Sequence, residues 1–210
     1  MPVRRRIATL VCTLTVGLTL VGAADAGGAN DVAIAQNTTD GATIVNAHTQ
    51  VVPVATDDVS SSNIATAVNA GCAGCHSTAV AVQILIVKGS PSTFSPANFA
   101  GGFNGGCDSC GAFAFARQYW IQVDQTTNLS SAARAQIALL RGKIADAAAS
   151  ILPSDAATDP CLPIEPCSRD FQLNDKLMGL SDELIQVVTN DLQSQGDTTS
   201  TLLDAAQNQG

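Results

Sequence analysis

The chain has 210 residues, ten Lys and Arg against eighteen Asp and Glu, and a net charge of −8 at pH 7. That balance repels phosphate backbones and anionic headgroups, so nucleic acid and membrane surfaces are poor partners. The acidic side chains are scattered, and no D-x-D-x-D loop gathers them for calcium.

Residues 1–26 read as a secretory signal: Arg4, Arg5 and Arg6 form the basic region, Ile7 to Val21 the apolar run, and Ala24-Asp25-Ala26 a small-x-small cleavage site. Cleavage there removes three of the ten basic and one of the eighteen acidic residues, leaving a charge of about −10. No other stretch is long enough to span a bilayer: the apolar "TAVAVQILIV" is only of strand length. The expected location is secreted or extracytoplasmic, at the cell envelope. Cys12 leaves with the signal, and the six remaining cysteines, Cys72, Cys75, Cys107, Cys110, Cys161 and Cys167, form an even set that reads first as disulfides.

Before the first CxxC, "NTTDGATIVNAHTQVVPV" reads as a turn at Asp40-Gly41 followed by a strand. His48 shares its strand face with Asn46 and Gln50 and reads as a solvated histidine.

A self-match at a spacing of 35 residues dominates the middle of the chain. "NIATAVNAGCAGCHSTAVAVQ" starts at Asn63 and "NFAGGFNGGCDSCGAFAFARQ" at Asn98, aligning Asn69 with Asn104, Cys72 and Cys75 with Cys107 and Cys110, and Gln83 with Gln118. Beyond each CxxC the side chains alternate. Thr78, Val80, Val82, Ile84 and Ile86 point one way and Ala79, Ala81, Gln83 and Leu85 the other; the second copy sets Phe113, Phe115, Arg117 and Tyr119 against Ala114, Ala116, Gln118 and Trp120. A period of two with β-branched and aromatic residues means strand. Each unit, 63–88 and 98–123, is expected to be a β-hairpin with Ala67 opposite Ala81 and the CxxC at its tip. One sheet face is then paved with Ala and Gly. If buried there, Gln83 and Gln118 need partners, with Asn69, Asn104 or backbone the candidates.

The pattern then turns helical over 130–194. Ser130 or Ser131 can cap a helix carrying Ile137, Leu140, Ile144 and Ile151. A second helix carries Leu173, Leu177, Leu180, Leu184, Val188 and Leu192, with Gly179 a candidate break. Residues 195–210, rich in Gln, Ser, Thr and Gly, read as a disordered tail. The expected fold is therefore a single α+β domain over 27–194, an antiparallel sheet built around two CxxC-tipped hairpins and packed by C-terminal helices.

"NTTDGATIV", the doubled "AVNAGCAGC…AVAVQ" and "FNGGCDSCGAFAFARQ", and the trailing helices resemble a group of exported bacterial proteins of unknown role, often labelled peptide zinc metalloproteases. The likeness covers about Val32 to Leu192 and implies the exported location. It carries no catalytic residue. A zinc peptidase of that kind needs HExxH, whereas this chain has only His48 and His76, and only Glu165 and Glu183.

Three readings of the cysteines remain. The leading one is disulfides among all six, in a non-catalytic structural or interaction protein with no cofactor and an unidentified protein or envelope partner. In the chain-entropy model a bridge within one CxxC is worth about 2 kcal/mol, and one from Cys72 to Cys110 about 4 kcal/mol. Cys161–Cys167 spans the Pro-rich "LPIEP". The second reading is a zinc knuckle pair, with Cys72, Cys75, Cys107 and Cys110 offering four thiolates to one Zn ion. The third is a c-type haem on Cys72 and Cys75 with His76 as ligand, or a dithiol redox protein. Against haem, the second copy places Gly111 where His76 stands.

Overall fold

The computed structural model describes residues 29–150, 153 and 168–209. Residues 1–26, read above as a signal, and Ile151, Cys161 and Cys167 lie outside the described residues. Within them the fold is α+β, with two sheets and two helices.

Strands β1 (Asp31–Asn37), β3 (Asp58–Ala70) and β5 (Thr93–Gly105) lie side by side, all parallel, in a first sheet. Strands β2 (Thr43–Val54), β4 (His76–Lys88) and β6 (Gly111–Val123) form a second sheet in the same parallel sense. The chain coils, passing through one sheet, around a turn and back through the other, and each circuit adds a rung. Asn63 pairs with Asn98, Ala65 with Ala100, Ala79 with Ala114 and Gln83 with Gln118.

The expected hairpins are corrected. β3 and β4 flank one CxxC but hydrogen-bond in different sheets, and so do β5 and β6. Each unit is an arch, and the sheets are built from parallel neighbours one rung apart. The physical reason lies in the side chains. A hairpin would lay both alanine faces on the same side of one sheet; the arch turns them toward each other. Ala33, Ala35, Ala65 and Ala67 of the first sheet thereby meet Ala79, Ala81, Ala114 and Ala116 of the second in one buried layer.

The opposite face of the second sheet carries the bulky core. Val80, Val82, Ile84, Phe113, Phe115 and Tyr119 pack under helix α1 (Ser131–Ser150) and helix α2 (Ser168–Ser194). Ser130 caps α1, its Oγ accepting the Ala133 N–H at 3.1 Å. From α1 come Ile137, Leu140 and Ile144, and from α2 Leu173, Leu177, Leu184, Val188 and Leu192. Helix α2 runs through Gly179 unbroken, because the cost of about 1 kcal/mol for a helical glycine is small beside that row of buried leucines. A polar clasp joins sheet to helix: Arg117 Nη2 lies 2.9 Å from Asp182 Oδ1, which also accepts the Tyr119 hydroxyl at 3.0 Å.

The C-terminal segment differs from its composition-based expectation. After α2, the Asp197 carboxylate accepts the backbone N–H groups of Asp124, Gln125 and Thr126 at 2.8–2.9 Å. Those bonds hold the Asp197 carboxyl below the usual carboxylate range. From that anchor the backbone enters strand β7 (Ser200–Gln209), antiparallel to β6.

The alanine layer gives a direct test. Ala81 and Ala116 are fully buried between the sheets. Replacing either with Leu should destabilise the fold by about 1–3 kcal/mol through overpacking. Ala138→Leu on the exposed side of α1 should stay within about 0.5 kcal/mol of wild type. Urea midpoints compare the three variants.

Candidate functional site

The turns that connect β3 to β4 and β5 to β6 stack on each other, and this stacking brings the cysteines together. Each turn needs two left-handed residues, Gly71 (φ 63°) and Gly74 (φ 62°) in one, Gly106 (φ 61°) and Ser109 (φ 54°) in the other. Backbone bonds tie turn to turn: Gly71 N–H to Gly105 O at 2.9 Å, Gly74 N–H to Asp108 O at 2.8 Å, and Gly111 N–H to Cys75 O at 3.1 Å. Like therefore sits over like. Amides brace the same end: Asn69 Nδ2 donates to Asn104 Oδ1 at 2.8 Å and to Gly111 O at 2.9 Å, and Asn37 Nδ2 to His76 O at 3.0 Å.

The four sulfurs of Cys72, Cys75, Cys107 and Cys110 all lie within 4.8 Å of one another. Cys72 and Cys75, both buried, are joined as a disulfide with Cα atoms 6.2 Å apart. Cys107 and Cys110 are thiols and are partly exposed. Cys110 Sγ stands 3.1 Å from Cys75 Sγ, and Cys107 Sγ stands 3.8 Å from Cys72 Sγ and 4.0 Å from Cys75 Sγ. Burial, then the hydrogen bond with Cys107, pushes the Cys110 thiol above its ordinary pKa of 9.0. The cluster can do two things chemically. It can exchange its bridge between rungs, the Cys110 thiolate attacking Cys75 Sγ and Cys72 leaving as thiolate, or, fully reduced, offer four soft ligands to a metal ion. An S₄ set at about 2.3 Å from a tetrahedral Zn ion has sulfurs about 3.8 Å apart. The fit is good.

His76 begins β4 beside this cluster, paired with Thr43 on one side and Gly111 on the other. Its Nδ1 is buried with no hydrogen-bond partner. His48 lies on the outermost strand of the second sheet and is about half exposed. Its Nδ1 is 3.4 Å from Oδ1 of Asp31, a residue the sequence reading did not single out. Among the described residues no hydroxyl or thiol hydrogen-bonds to His48, so the pair does not extend to a nucleophile.

Asp31 shares a column with Asn63 and Asn98. Asn63 Nδ2 donates to Asn98 Oδ1 at 2.8 Å, but Asn63 Oδ1, buried beside Asp31, receives no donor. Burial raises the Asp31 carboxyl from 3.8 to about 6, outweighing the attraction of His48. A protonated Asp31 would resemble the asparagines below it, with an O–H to give to Asn63 Oδ1.

The glutamine partners differ from those expected. Gln118 Nε2 donates to Gln83 Oε1 at 2.6 Å and to Ser61 Oγ at 2.9 Å, and Gln83 Nε2 donates to Ala29 O at 2.9 Å. They satisfy each other rather than Asn69 or Asn104, because the parallel register makes them direct neighbours. Asn37, which aligns with Asn69 in the first rung, reads in the sequence as part of the turn stretch rather than as an end of strand β1; the alternation in "DVAIAQN" was the available signal for β1.

Comparison with protein-family models, with curated proteins and with solved structures gives no match. Among the described residues no helix is long and apolar enough to cross a membrane.

Two measurements probe this end of the molecule. Because the folded Asp31 holds its proton above pH 3.8 while the unfolded one has lost it, stability should fall as pH rises from about 4 to about 6. Asp31→Asn should flatten that fall and gain on the order of 2 kcal/mol at pH 7, read from urea unfolding at several pH values. Separately, alkylation of Cys110 should stay slow through the pH range where an ordinary exposed cysteine reacts, and should accelerate only above it.

Proposed function

We propose that this is a secreted or envelope-associated structural or interaction protein without catalytic activity, its parallel coil fastened at one end by sulfur. The observation that carries this reading is the stacking of two CxxC turns, which gathers four sulfurs from consecutive rungs within 4.8 Å. A bridge or an ion joining sulfurs of the two turns would tie together elements far apart in sequence, whereas the Cys72–Cys75 bridge closes one turn on itself. Two features support a structural role. The Nδ2 or Nε2 groups of Asn63, Asn69 and Gln118 are spent on neighbouring amides, and Asn69 also donates to the Gly111 carbonyl. Among the described residues no hydroxyl or thiol is hydrogen-bonded to the imidazole of His48 or His76.

A second reading has its own support. The Cys72–Cys107 and Cys75–Cys107 separations, 3.8 and 4.0 Å, are close to the sulfur edges of a four-thiolate zinc site. In that state Cys72, Cys75, Cys107 and Cys110 would all be thiolates, and the ion would take over the fastening role.

Intact mass under non-reducing, non-denaturing conditions, combined with thiol counting, separates the readings. The expected result is a loss of about 2 Da for each bridge and no bound metal. One zinc ion with four reactive thiols after chelation would replace the sulfur-bridged reading with the zinc one. A haem-sized mass increase with a Soret band, carried by Cys72, Cys75 and His76, would overturn both.

A further inference from the structure

The three rungs are unequal at their ends. On the first-rung side, β1 and β2 are the outermost strands of their sheets; on the third-rung side, β5 is outermost in the first sheet, while β6 is covered by β7. An outermost strand carries a row of backbone donors and acceptors that can template another strand. The covering strand β7 runs antiparallel in a sheet that is otherwise parallel, so it closes β6 without continuing the rung pattern.

The glutamine ladder shows what would continue it. Gln50 pairs with Gln83, and Gln83 with Gln118. Between the second and third rungs the donor runs one way: Gln118 Nε2 gives to Gln83 Oε1. The last acceptor, Gln118 Oε1, is buried and receives nothing. In the next place along, the required group is a glutamine Nε2 from a strand parallel to β6. This chain has such a glutamine at its opposite end, Gln50 of β2, whose Nε2 is spent on the exposed Asn30 O at 3.1 Å.

We infer that a second copy of this chain docks head to tail on the third rung, its β1 pairing with β5 and its β2 replacing β7 on β6. In that register Asp31 of the incoming copy falls beside Asn98 and its Gln50 beside Gln118, so that Gln50 Nε2 supplies the missing bond. The interface joins unlike ends and each copy adds its rungs in the direction in which the rungs already stack, so repetition gives a linear stack. Strand β7 is then the chain's own stopper, held at its start by Asp197, and the incoming β2 takes its place along β6. The inference rests on the amide ladder and the strand edges, and it is independent of whether the cysteines hold a bridge or a metal.

The test uses the full chain carrying Leu203→Pro and Ala206→Pro. These positions differ in parity along β7, so the pair removes at least one N–H that β7 gives to β6. Sedimentation or light scattering over a range of concentrations, with and without reductant, should show a weight-average mass at least about twofold above wild type and rising with concentration. Adding Ile34→Pro on the outermost strand β1, or Gln50→Leu, should return the mass toward that of one chain. Circular dichroism checks that the strands persist in each variant. A stopper variant that keeps its strands and stays monomeric overturns the inference. Assembly that Ile34→Pro and Gln50→Leu leave untouched also overturns it, since it would mark unspecific association. If the stopper variant unfolds, the wild-type chain carries the test: mixed with an excess of the synthetic segment Thr43–Val54, it should bind the peptide, and a Gln50→Leu peptide should bind at least about tenfold more weakly. Equal binding of the two peptides, or none, overturns it as well.

Discussion

The constraint on which the structure depends is the thinness of the layer between its two sheets. Over most of the layer only alanine, with glycine and a few polar side chains, occupies the faces that meet, and several of these alanines have no solvent exposure at all; Val59, Leu85 and Val87 fill the end away from the cysteines. Small side chains let two backbones approach closely, but they bring little apolar area: each methyl is worth only about 0.8 kcal/mol on burial. The layer therefore specifies geometry more than it supplies stability. The stabilising area lies on the other side of the second sheet, where Phe113, Phe115, Ile84 and Tyr119 pack under Leu140, Ile144, Leu177 and Leu184. The helices hold one sheet firmly; the first sheet is held to that platform by the alanine layer and the amides.

That division explains where the polar groups sit. A buried amide costs free energy unless both its donor and its acceptor are used, and a well-made bond returns about 1 kcal/mol. Parallel, in-register stacking offers each asparagine or glutamine an identical neighbour, which has the complementary group by definition. Asn63 with Asn98, Asn69 with Asn104 and Gln83 with Gln118 each make one such bond, leaving Asn63 Oδ1, Asn69 Oδ1 and Gln118 Oε1 without a donor, and each bond also fixes the register against a one-residue slip that would turn the alanines outward. Asp31 is the exception in its column, and its raised carboxyl is the electrostatic consequence of putting an acid where the pattern has an amide.

Much of this was legible from single residues. The alternation of Val80, Val82 and Ile84 against Ala79 and Ala81 shows two faces of different character, and the leucines of α2, from Leu173 to Leu192, mark its buried stripe. What a period of two cannot convey is the identity of the neighbouring strand. Ala67 facing Ala81 is compatible with a hairpin, where they share a sheet, and with an arch, where they meet across the gap between sheets. The deciding information is three-dimensional: whether the chain turns within the sheet plane or out of it. The wrong choice there also misassigns the glutamines, since Gln83 and Gln118 become neighbours only when the units stack. Strand β7 was hidden for another reason. Its Gln- and Ala-containing sequence has little intrinsic preference, and its backbone order comes from the edge of β6 that it occupies.

The sulfur cluster follows from the same stacking. A CxxC on a hairpin tip belongs to its own unit, and a second such tip need not be near. On an arch the turns are carried at the rung spacing, about 4.8 Å apart, so a cysteine at the same place in consecutive turns meets its counterpart whether or not it bonds to it. The first rung shows what happens without sulfur. Its turn is one residue shorter, and the Asp40 carboxylate accepts the Ala73 N–H at 2.9 Å to join the two turns. A solvent-facing hydrogen bond of that kind opens readily, whereas a covalent bridge or a four-thiolate ion does not. The bridge present closes the second turn on itself, so a covalent tie between the second and third turns requires the Cys110 thiol to take Cys75 from Cys72, and only then is that junction held more firmly than the one Asp40 makes.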